Sequence, residues 1–276
     1  MFLINPYIFS GANTYYLDGY GTPVVWYELV KRFSAYSGAC IRVRRSTDNA
    51  EQDIYFVDDL LDTASLLSFV GAGNGFVTTF YTQVGTKNVT NATATQQPQI
   101  VSSGALITRN GFVSIKYDGS NDNLFNWSSG FINTTNVSFF SVAQRDIIGG
   151  GGTIHNQASS TNITIRSFID RGINNYSFAY SSDILKNLPQ KDDANLRLFS
   201  NYVTSSKFMS TFQNSIAGDT LTSLIGGLSN DGLQLGQQFG TGYLNGSINC
   251  FGAYNTDNSA NRVAIETILN NYYTIY

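Results

Sequence analysis

Residues 75–81 read GFVTTFY, and this run shows the pattern that decides the fold. Its β-branched and aromatic residues predict a strand. Before it, Gly71-Ala72-Gly73 ends a helix predicted over residues 63–70, with Asp62 as its N-cap. Outward from this point, strand signals recur at roughly 8–15-residue spacing with Gly- and Asn-rich turns between them. The predicted strands are residues 39–45, 53–57, 99–101, 113–117, 137–144, 163–169, 176–180, 196–204, 207–213, 221–225 and 243–254.

Helical signals are few. Apolar spacing predicts a short helix over residues 26–33, and a final helix over residues 260–273 follows the N-cap candidates Asp257-Asn258-Ser259. The polar residues 83–97 are expected to form a loop.

Many short strands with few helices favour an all-β sandwich of two antiparallel sheets. We expect residues 1–22 to form an N-terminal arm or attachment segment and residues 23–276 to form the sandwich domain.

The composition limits the classes of function. Charged residues make up 13% of the chain and the formal net charge is −3, which gives no electrostatic basis for binding nucleic acid or an anionic membrane. The sequence has neither a signal-peptide pattern at its start nor an apolar run long enough for membrane insertion. Hydrophobic residues make up 42%, enough for a sizeable core.

Residues that often carry catalysis or bind metals are sparse. His155 is the only histidine and follows a glycine-rich run, so a solvated loop position is expected. The two cysteines, Cys40 and Cys250, are expected to be buried thiols. No catalytic residue and no metal ligand is assigned. Asp118-Gly119-Ser120-Asn121-Asp122 has a turn composition, with a calcium site as the alternative.

The charged and aromatic clusters have ordinary and functional interpretations. The cluster Arg42, Arg44 and Arg45 is interpreted as a solvated or salt-bridged strand face, with an anion site as the alternative. The 38 aromatic residues exceed what the core is expected to need, so some should line a surface. Trp127 in a polar loop and Tyr243 before a strand are candidates for stacking on sugar rings.

Three stretches together resemble a known family. They are residues 33–56 (FSAYSGACIRVRRSTDNAEQDIYF), residues 61–81 with QPQIV at 97–101 and YDGSND at 117–122, and the ending from residue 242 to residue 273. The chain resembles the concanavalin A-like, laminin-G-type domain related to the catalytic domain of family-54 α-L-arabinofuranosidases. This form of the domain occurs in structural proteins of phages that infect Bacteroidota, including crAss-like phages. The resemblance implies a concanavalin A-like jelly-roll sandwich of two antiparallel sheets.

The sequence departs from the enzymes of this family at the positions that matter for hydrolysis. Thr82 and Leu228 stand where the enzymes keep aspartates, and the stretch matched to the nucleophile strand, residues 163–169, holds no glutamate. A retaining glycosidase needs two carboxylates. Asp231 could substitute only if its loop is rebuilt. We therefore expect that the protein is not an enzyme.

The resemblance implies a virion structural protein, such as a head fibre, a capsid decoration or a tail-associated protein. Trp127, Asn230, Asp231 and Tyr243 are then the candidates for binding glycans of the host surface or the environment. The expected partners are other virion proteins, contacted through the N-terminal arm, and further copies of the chain in a dimer or trimer, with the protein on the virion surface. The alternatives are an arabinofuranosidase-like glycoside hydrolase and a decoration protein without a ligand.

Overall fold

A computed structural model describes the chain over these ranges: residues 16–128, 130–131, 136–147, 152–158, 163–169, 176–180, 183–185, 194–204, 208–221, 232–238, 240 and 242–276. Over these residues the protein is mostly β-structure with two α-helices. No helix in the described ranges is both long and apolar enough to cross a membrane.

The strands are short in the first half of the chain and longer in the second. The first thirteen are β1 Val25–Glu28, β2 Ile41–Arg45, β3 Glu51–Ile54, β4 Phe56–Val57, β5 Leu60–Leu61, β6 Gly75–Phe80, β7 Val89–Thr90, β8 Gln99–Ser102, β9 Ala105–Leu106, β10 Thr108–Arg109, β11 Phe112–Val113, β12 Ile115–Asp118 and β13 Leu124–Asn126. The other ten are β14 Val137–Arg145, β15 Gly152–Ala158, β16 Ile163–Ile169, β17 Tyr176–Tyr180, β18 Asp183–Leu185, β19 Arg197–Val203, β20 Met209–Gln213, β21 Ile216–Leu221, β22 Leu233–Leu235 and β23 Asn245–Tyr254. The helices are α1 Thr63–Val70 and α2 Arg262–Tyr273, with short 3-10 helices at Ala94–Gln96 and Ser259–Asn261.

Antiparallel pairing arranges the strands in two layers. The front layer runs β21–β20–β19–β14–β23, and both β1 and β12 pair with the far edge of β23. The back layer runs β3–β2–β6–β7–β13–β22–β15–β16–β17–β18. β8 joins the layers, because it pairs with β6 and with β12.

Aromatic contacts between strands that share no hydrogen bonds show that the two layers face each other. Phe139 of β14 lies 6.0 Å from Phe178 of β17, and Tyr27 of β1 lies 5.7 Å from Phe80 of β6, measured between ring centroids. These rings belong to one large cluster of buried apolar side chains. The architecture is therefore the antiparallel sandwich of jelly-roll type expected from the sequence.

The helix predicted over residues 26–33 is wrong, because residues 25–28 form β1. Trp26 pairs with Gly252 of β23, and a Cβ on Gly252 would lie 2.1 Å from the indole ring. The opposite face of β1 carries Tyr27, which packs against Phe80 between the layers. A strand buried on both faces has no polar alternation, so its apolar spacing was open to a helical interpretation.

The C-terminal helix covers the outer face of the front layer. Ile265 and Leu269 of α2 are fully buried in a second apolar cluster with Trp26, Phe140 and other residues of that face. The helix begins at Arg262 after a 3-10 turn, two residues later than predicted. The predicted helix α1 is confirmed at residues 63–70, and the Asp62 side chain accepts the Ser65 N–H at 2.9 Å.

Residues 16–22, predicted as part of an N-terminal arm, pack against the sandwich. Leu17 is fully buried and donates its N–H to Arg32 O at 2.7 Å, while Tyr20 O accepts Asn258 Nδ2 at 2.9 Å. Residues 1–15 lie outside the described residues.

The two cysteines and two of the three clustered arginines have the predicted environments. Cys40 and Cys250 are buried free thiols. Arg42 pairs with Glu51 and Asp53, at 2.8 and 3.1 Å, and Arg45 pairs with Asp48 at 2.7 Å. Arg44 is buried, and its Nε donates to Gln97 Oε1 at 2.7 Å. The salt-bridged strand face is therefore confirmed for Arg42 and Arg45, whereas the prediction is wrong for Arg44, which is buried against neutral partners.

Candidate functional site

Trp127 projects from the end of a back-layer strand. Asn126, the last residue of β13, pairs with Leu233 of β22, and the chain then turns outward. The Trp127 side chain is 51% exposed, and its ring centroid lies 5.3 Å from that of Phe125, two residues earlier. The spacing of two along an extended chain puts both rings on one side. Together they form an aromatic surface, named here the Trp127 surface.

Backbone and amide contacts fix the turn that carries Trp127. Asn126 Nδ2 donates to Asn88 O at 2.7 Å, and its Oδ1 accepts the Ser128 N–H at 2.8 Å. Beside them, the Lys87 ammonium lies 4.7 Å from the ring centroid of Phe131, and partial burial lowers the pKa of Lys87. An exposed indole on a fixed turn, beside the Asn126 amide, can stack on a pyranose or furanose face while nearby polar groups hydrogen-bond its hydroxyls.

Tyr243 lies in a different region from Trp127. Its hydroxyl accepts Gln237 Nε2 at 3.3 Å, just beyond the far end of β22. At the near end of β22, a Cβ on Gly232 would lie 2.7 Å from Trp127 Cα. An extended chain from residue 232 to residue 237 spans roughly 16 Å. The structure therefore places Trp127 and Tyr243 at opposite ends of one strand.

The two remaining candidates, Asn230 and Asp231, lie outside the described residues. Gly232, which follows Asp231 in the chain, is the residue beside Trp127. Leu228, one of the positions compared with the enzymes, is also outside the described residues.

Thr82, the other position compared with the enzymes, has a structural role. Its Oγ1 accepts the Trp26 N–H at 3.0 Å and donates to Val84 O at 2.7 Å. The side chain is buried with 3% exposure. These contacts join the turn after β6 to β1. The strand over residues 163–169 is confirmed as β16, and Ser167 within it is buried.

His155 is fully buried, so the prediction of a solvated loop histidine is wrong. It lies in β15, which pairs with β16 and β22, and its ring centroid is 5.0 Å from that of Phe139 and 4.6 Å from that of Phe251. Burial lowers the pKa of His155 to about 3, so the imidazole is neutral near pH 7. The glycine-rich run before it suggested a loop, whereas the strand begins at Gly152.

A group of neutral polar side chains lies between the layers near His155. Asn201 of β19 faces Thr211 of β20 in register, and Gln213 is two residues further along the same strand. Asn201 Nδ2 donates to Ser167 Oγ at 3.2 Å, which links the front and back layers. The side-chain oxygens of Asn201, Thr211 and Gln213 and both nitrogens of His155 have no hydrogen-bond partner among the described residues. Sequence reasoning missed this group, although the alternation of Thr211 and Gln213 was a signal that both share one face.

The predicted turn at residues 118–122 uses its carboxylates to hold the backbone. Asp118 Oδ1 accepts the Ser120 and Asn121 N–H groups at 2.7 and 3.1 Å, and Asp122 Oδ2 accepts the Asp118 N–H at 2.9 Å. Burial, with the nearby Asp118 charge, raises the pKa of Asp122 to about 7. Within the described ranges, no three acidic, histidine or cysteine side chains are grouped so that they could hold a metal ion.

Comparison with known proteins gives relatives at the level of structure. No family profile and no curated protein matches the sequence. Among solved structures, an arabinofuranosidase complexed with arabinofuranosyl-α-1,2-xylobiose is similar to this chain with a TM-score of 0.67 and 12% identity. A mutant GH54 α-L-arabinofuranosidase soaked with 4-nitrophenyl α-L-arabinofuranoside gives a TM-score of 0.66, also at 12% identity.

A GH54 α-L-arabinofuranosidase soaked with a cyclic sulfate inhibitor gives a TM-score of 0.63 at 12% identity. Each of the three alignments covers 89% of this chain and 62% of the other, so the chain spans less than two thirds of the length of these enzymes. At this identity the likeness concerns the fold alone. The chain has a β-sandwich fold similar to that of the GH54 arabinofuranosidase structures.

Proposed function

We propose that this protein is a glycan-binding sandwich domain of a phage virion structural protein. The observation that carries the binding role is the Trp127 surface, where a 51% exposed indole packs beside Phe125 on a hydrogen-bonded turn. A large exposed aromatic side chain on a fixed backbone loses little conformational freedom when a ligand stacks on it. The virion role rests on the sequence resemblance described above.

The proposal favours holding a sugar over cleaving it. Thr82 supplies hydrogen bonds to the backbone where the related enzymes keep an aspartate, and β16 contains no glutamate. His155 is neutral, and its ring packs against those of Phe139 and Phe251. Single-site affinity is expected to be weak and to be raised by many copies on a particle, including a dimer or trimer of this chain.

The test is binding of the full chain, displayed at multivalent density, to an array of bacterial surface glycans. Trp127→Ala is expected to weaken binding at least ~10-fold, which corresponds to ~1.4 kcal/mol. Tyr276→Ala is the matched control, because Tyr276 is also aromatic and is 53% exposed. Equal binding by wild type and Trp127→Ala would reject the Trp127 surface, and no binding to any glycan would favour a decoration protein without a ligand.

A hydrolysis assay addresses the enzyme alternative directly. We expect no product from aryl-arabinosides or from arabinose-containing polysaccharides. Release of product that Asp231→Asn abolishes would replace the binding proposal with a hydrolase. Adsorption of particles with and without this protein, together with electron microscopy, tests the virion role.

A further inference from the structure

The hairpin formed by β4 and β5 presents an apolar surface to solvent. Asp58 and Asp59 form its two-residue turn with φ values of 49° and 65°, as in a type I′ turn. Val57 pairs with Leu60, so their side chains lie on one face, and Tyr55 shares that face by the alternation of the strand. Tyr55, Val57 and Leu60 are 53%, 54% and 38% exposed. These three residues are named here the hairpin face.

The hairpin face is unusual for this surface. Among the described residues, eight large hydrophobic side chains are exposed, and three of them belong to this one hairpin. Leu60 also lines a neighbouring cleft of about 130 Å³, whose other apolar walls include Val30, Val113 and Tyr272. A contiguous exposed apolar patch beside a cleft is typical of a surface that another segment covers.

The chain enters the described structure beside this hairpin. Tyr16, the first described residue, donates its hydroxyl to the Asp59 carboxylate at 3.0 Å, and Lys31 Nζ lies 3.9 Å from the same carboxylate. The Tyr16 side chain therefore lies at the turn of the hairpin, and residues 1–15 precede Tyr16 in the sequence.

The preceding segment has the composition of a partner for an apolar surface. Residues 1–15 contain no Asp, Glu, Lys or Arg, and their apolar side chains concentrate in the first nine positions: Phe2, Leu3, Ile4, Tyr7, Ile8 and Phe9. Residues 10–15 (SGANTY) separate these from Tyr16 and reach roughly 20 Å when extended. The hairpin from its turn to Tyr55 spans roughly 13 Å, so the apolar positions can reach the whole face.

From these observations we propose that residues 2–9 dock on the hairpin face of their own chain. The apolar side chains of the segment cover Tyr55, Val57 and Leu60, and the cleft beside Leu60 accepts one of them. The segment thereby has an intramolecular partner in place of the virion proteins that the sequence led us to expect. This inference is independent of glycan binding at the Trp127 surface.

The experiment is limited chymotryptic cleavage of the full chain within residues 1–15, followed by mass spectrometry. Val57→Glu places a charge in the contact and is expected to raise the cleavage rate at Phe2, Tyr7 and Phe9 at least ~10-fold, as release of a docked segment exposes it to protease. Ile216→Glu is the matched control, since Ile216 is 49% exposed on β21, and its cleavage rate should equal that of wild type.

Ile4→Asp and Ile8→Asp disrupt the contact from the other side and leave the sandwich sequence unchanged. They should raise cleavage as Val57→Glu does, which keeps the test valid if Val57→Glu fails to fold. Equal cleavage of wild type and all three variants would overturn the proposal. Light scattering distinguishes docking within one chain from docking on a second copy. If wild type is an oligomer that Val57→Glu converts to a monomer, the segment docks on a second copy, and the proposal is also overturned.

Discussion

Neutralising Glu28 is the perturbation with the clearest expected magnitude. The Glu28 carboxylate, at the end of β1, is fully buried and accepts Trp26 Nε1 at 2.7 Å and the Tyr273 hydroxyl at 3.1 Å. It also pairs with Arg32, whose side chain has no exposed area. Burial alone would lower the pKa of Arg32, but the adjacent Glu28 charge outweighs this and raises it above its ordinary value.

Glu28→Gln keeps the shape of the side chain and removes its charge, which leaves the Arg32 cation buried without its carboxylate. Breaking one half of a buried ion pair costs about 3–5 kcal/mol. For a chain of this size, ~3 kcal/mol lowers Tm by roughly 6–12 °C. The loss affects α2 as well, because Tyr273 near its end bonds to the same carboxylate. Urea unfolding, followed by circular dichroism, measures the free energy of unfolding.

Two further variants complete the test. Arg42→Gln removes two solvent-accessible pairs, with Glu51 and Asp53, whose side chains are 38% and 31% exposed, and should cost about 1 kcal/mol or less. The double variant Glu28→Gln/Arg32→Met removes both charges and should recover much of the single loss, since an apolar replacement of a buried pair is often close to neutral. A Glu28→Gln cost no larger than that of Arg42→Gln, or a double variant less stable than Glu28→Gln, would refute the reasoning.

Three other predictions concern buried groups. Because the pKa of Asp122 is raised to about 7, the free energy of unfolding of wild type should fall as pH rises from about 4 to about 7. Asp122→Asn should therefore be more stable than wild type by ~2 kcal/mol at pH 8 and similar to it at pH 4. Equal pH profiles of the two proteins in urea unfolding would contradict this. Because the pKa of His155 is lowered to about 3, wild type should lose stability as pH falls from about 6.5 towards 3. His155→Phe should remove that loss while keeping the packing against Phe139 and Phe251. A loss of stability that persists in this variant would show that another group is responsible. Gly252→Ala should cost about 1–3 kcal/mol or more in thermal unfolding, because its Cβ would meet the Trp26 ring at 2.1 Å; a neutral effect would show that the ring can move.

The class of fold was accessible from the sequence where the signals are local. α1 was predicted with its bounds, because Asp62 caps it and Gly71 ends it. The strands β16 and β17 were also predicted with their bounds, since each is rich in β-branched or aromatic residues. In both cases the residues of the element themselves decide its structure.

Other elements depend on distant partners. β1 is buried on both faces and lies against Gly252, more than two hundred residues away in the chain, so no local pattern identifies it as a strand. The burial of His155 likewise depends on Phe139 and Phe251, which belong to the opposite layer. The separation of Trp127 from Tyr243 depends on β22, a three-residue strand that the sequence did not predict.

The placement of the buried charges bears on how the binding proposal can be tested. Glu28 and Glu266 are both fully buried. Glu28 of β1 accepts the hydroxyl of Tyr273 in α2. Glu266 belongs to α2 and accepts the Ser200 and Ser215 hydroxyls at 2.5 Å. These interactions fix the helix to the outer face of the front layer. Trp127 instead extends from β13 of the back layer, and its side chain is half exposed. Since the two regions share no side chain in these contacts, their effects should be additive. Trp127→Ala should therefore weaken glycan binding without changing the free energy of unfolding. Glu28→Gln should lower the free energy of unfolding, but at temperatures where this variant is still folded it should bind glycan as wild type does.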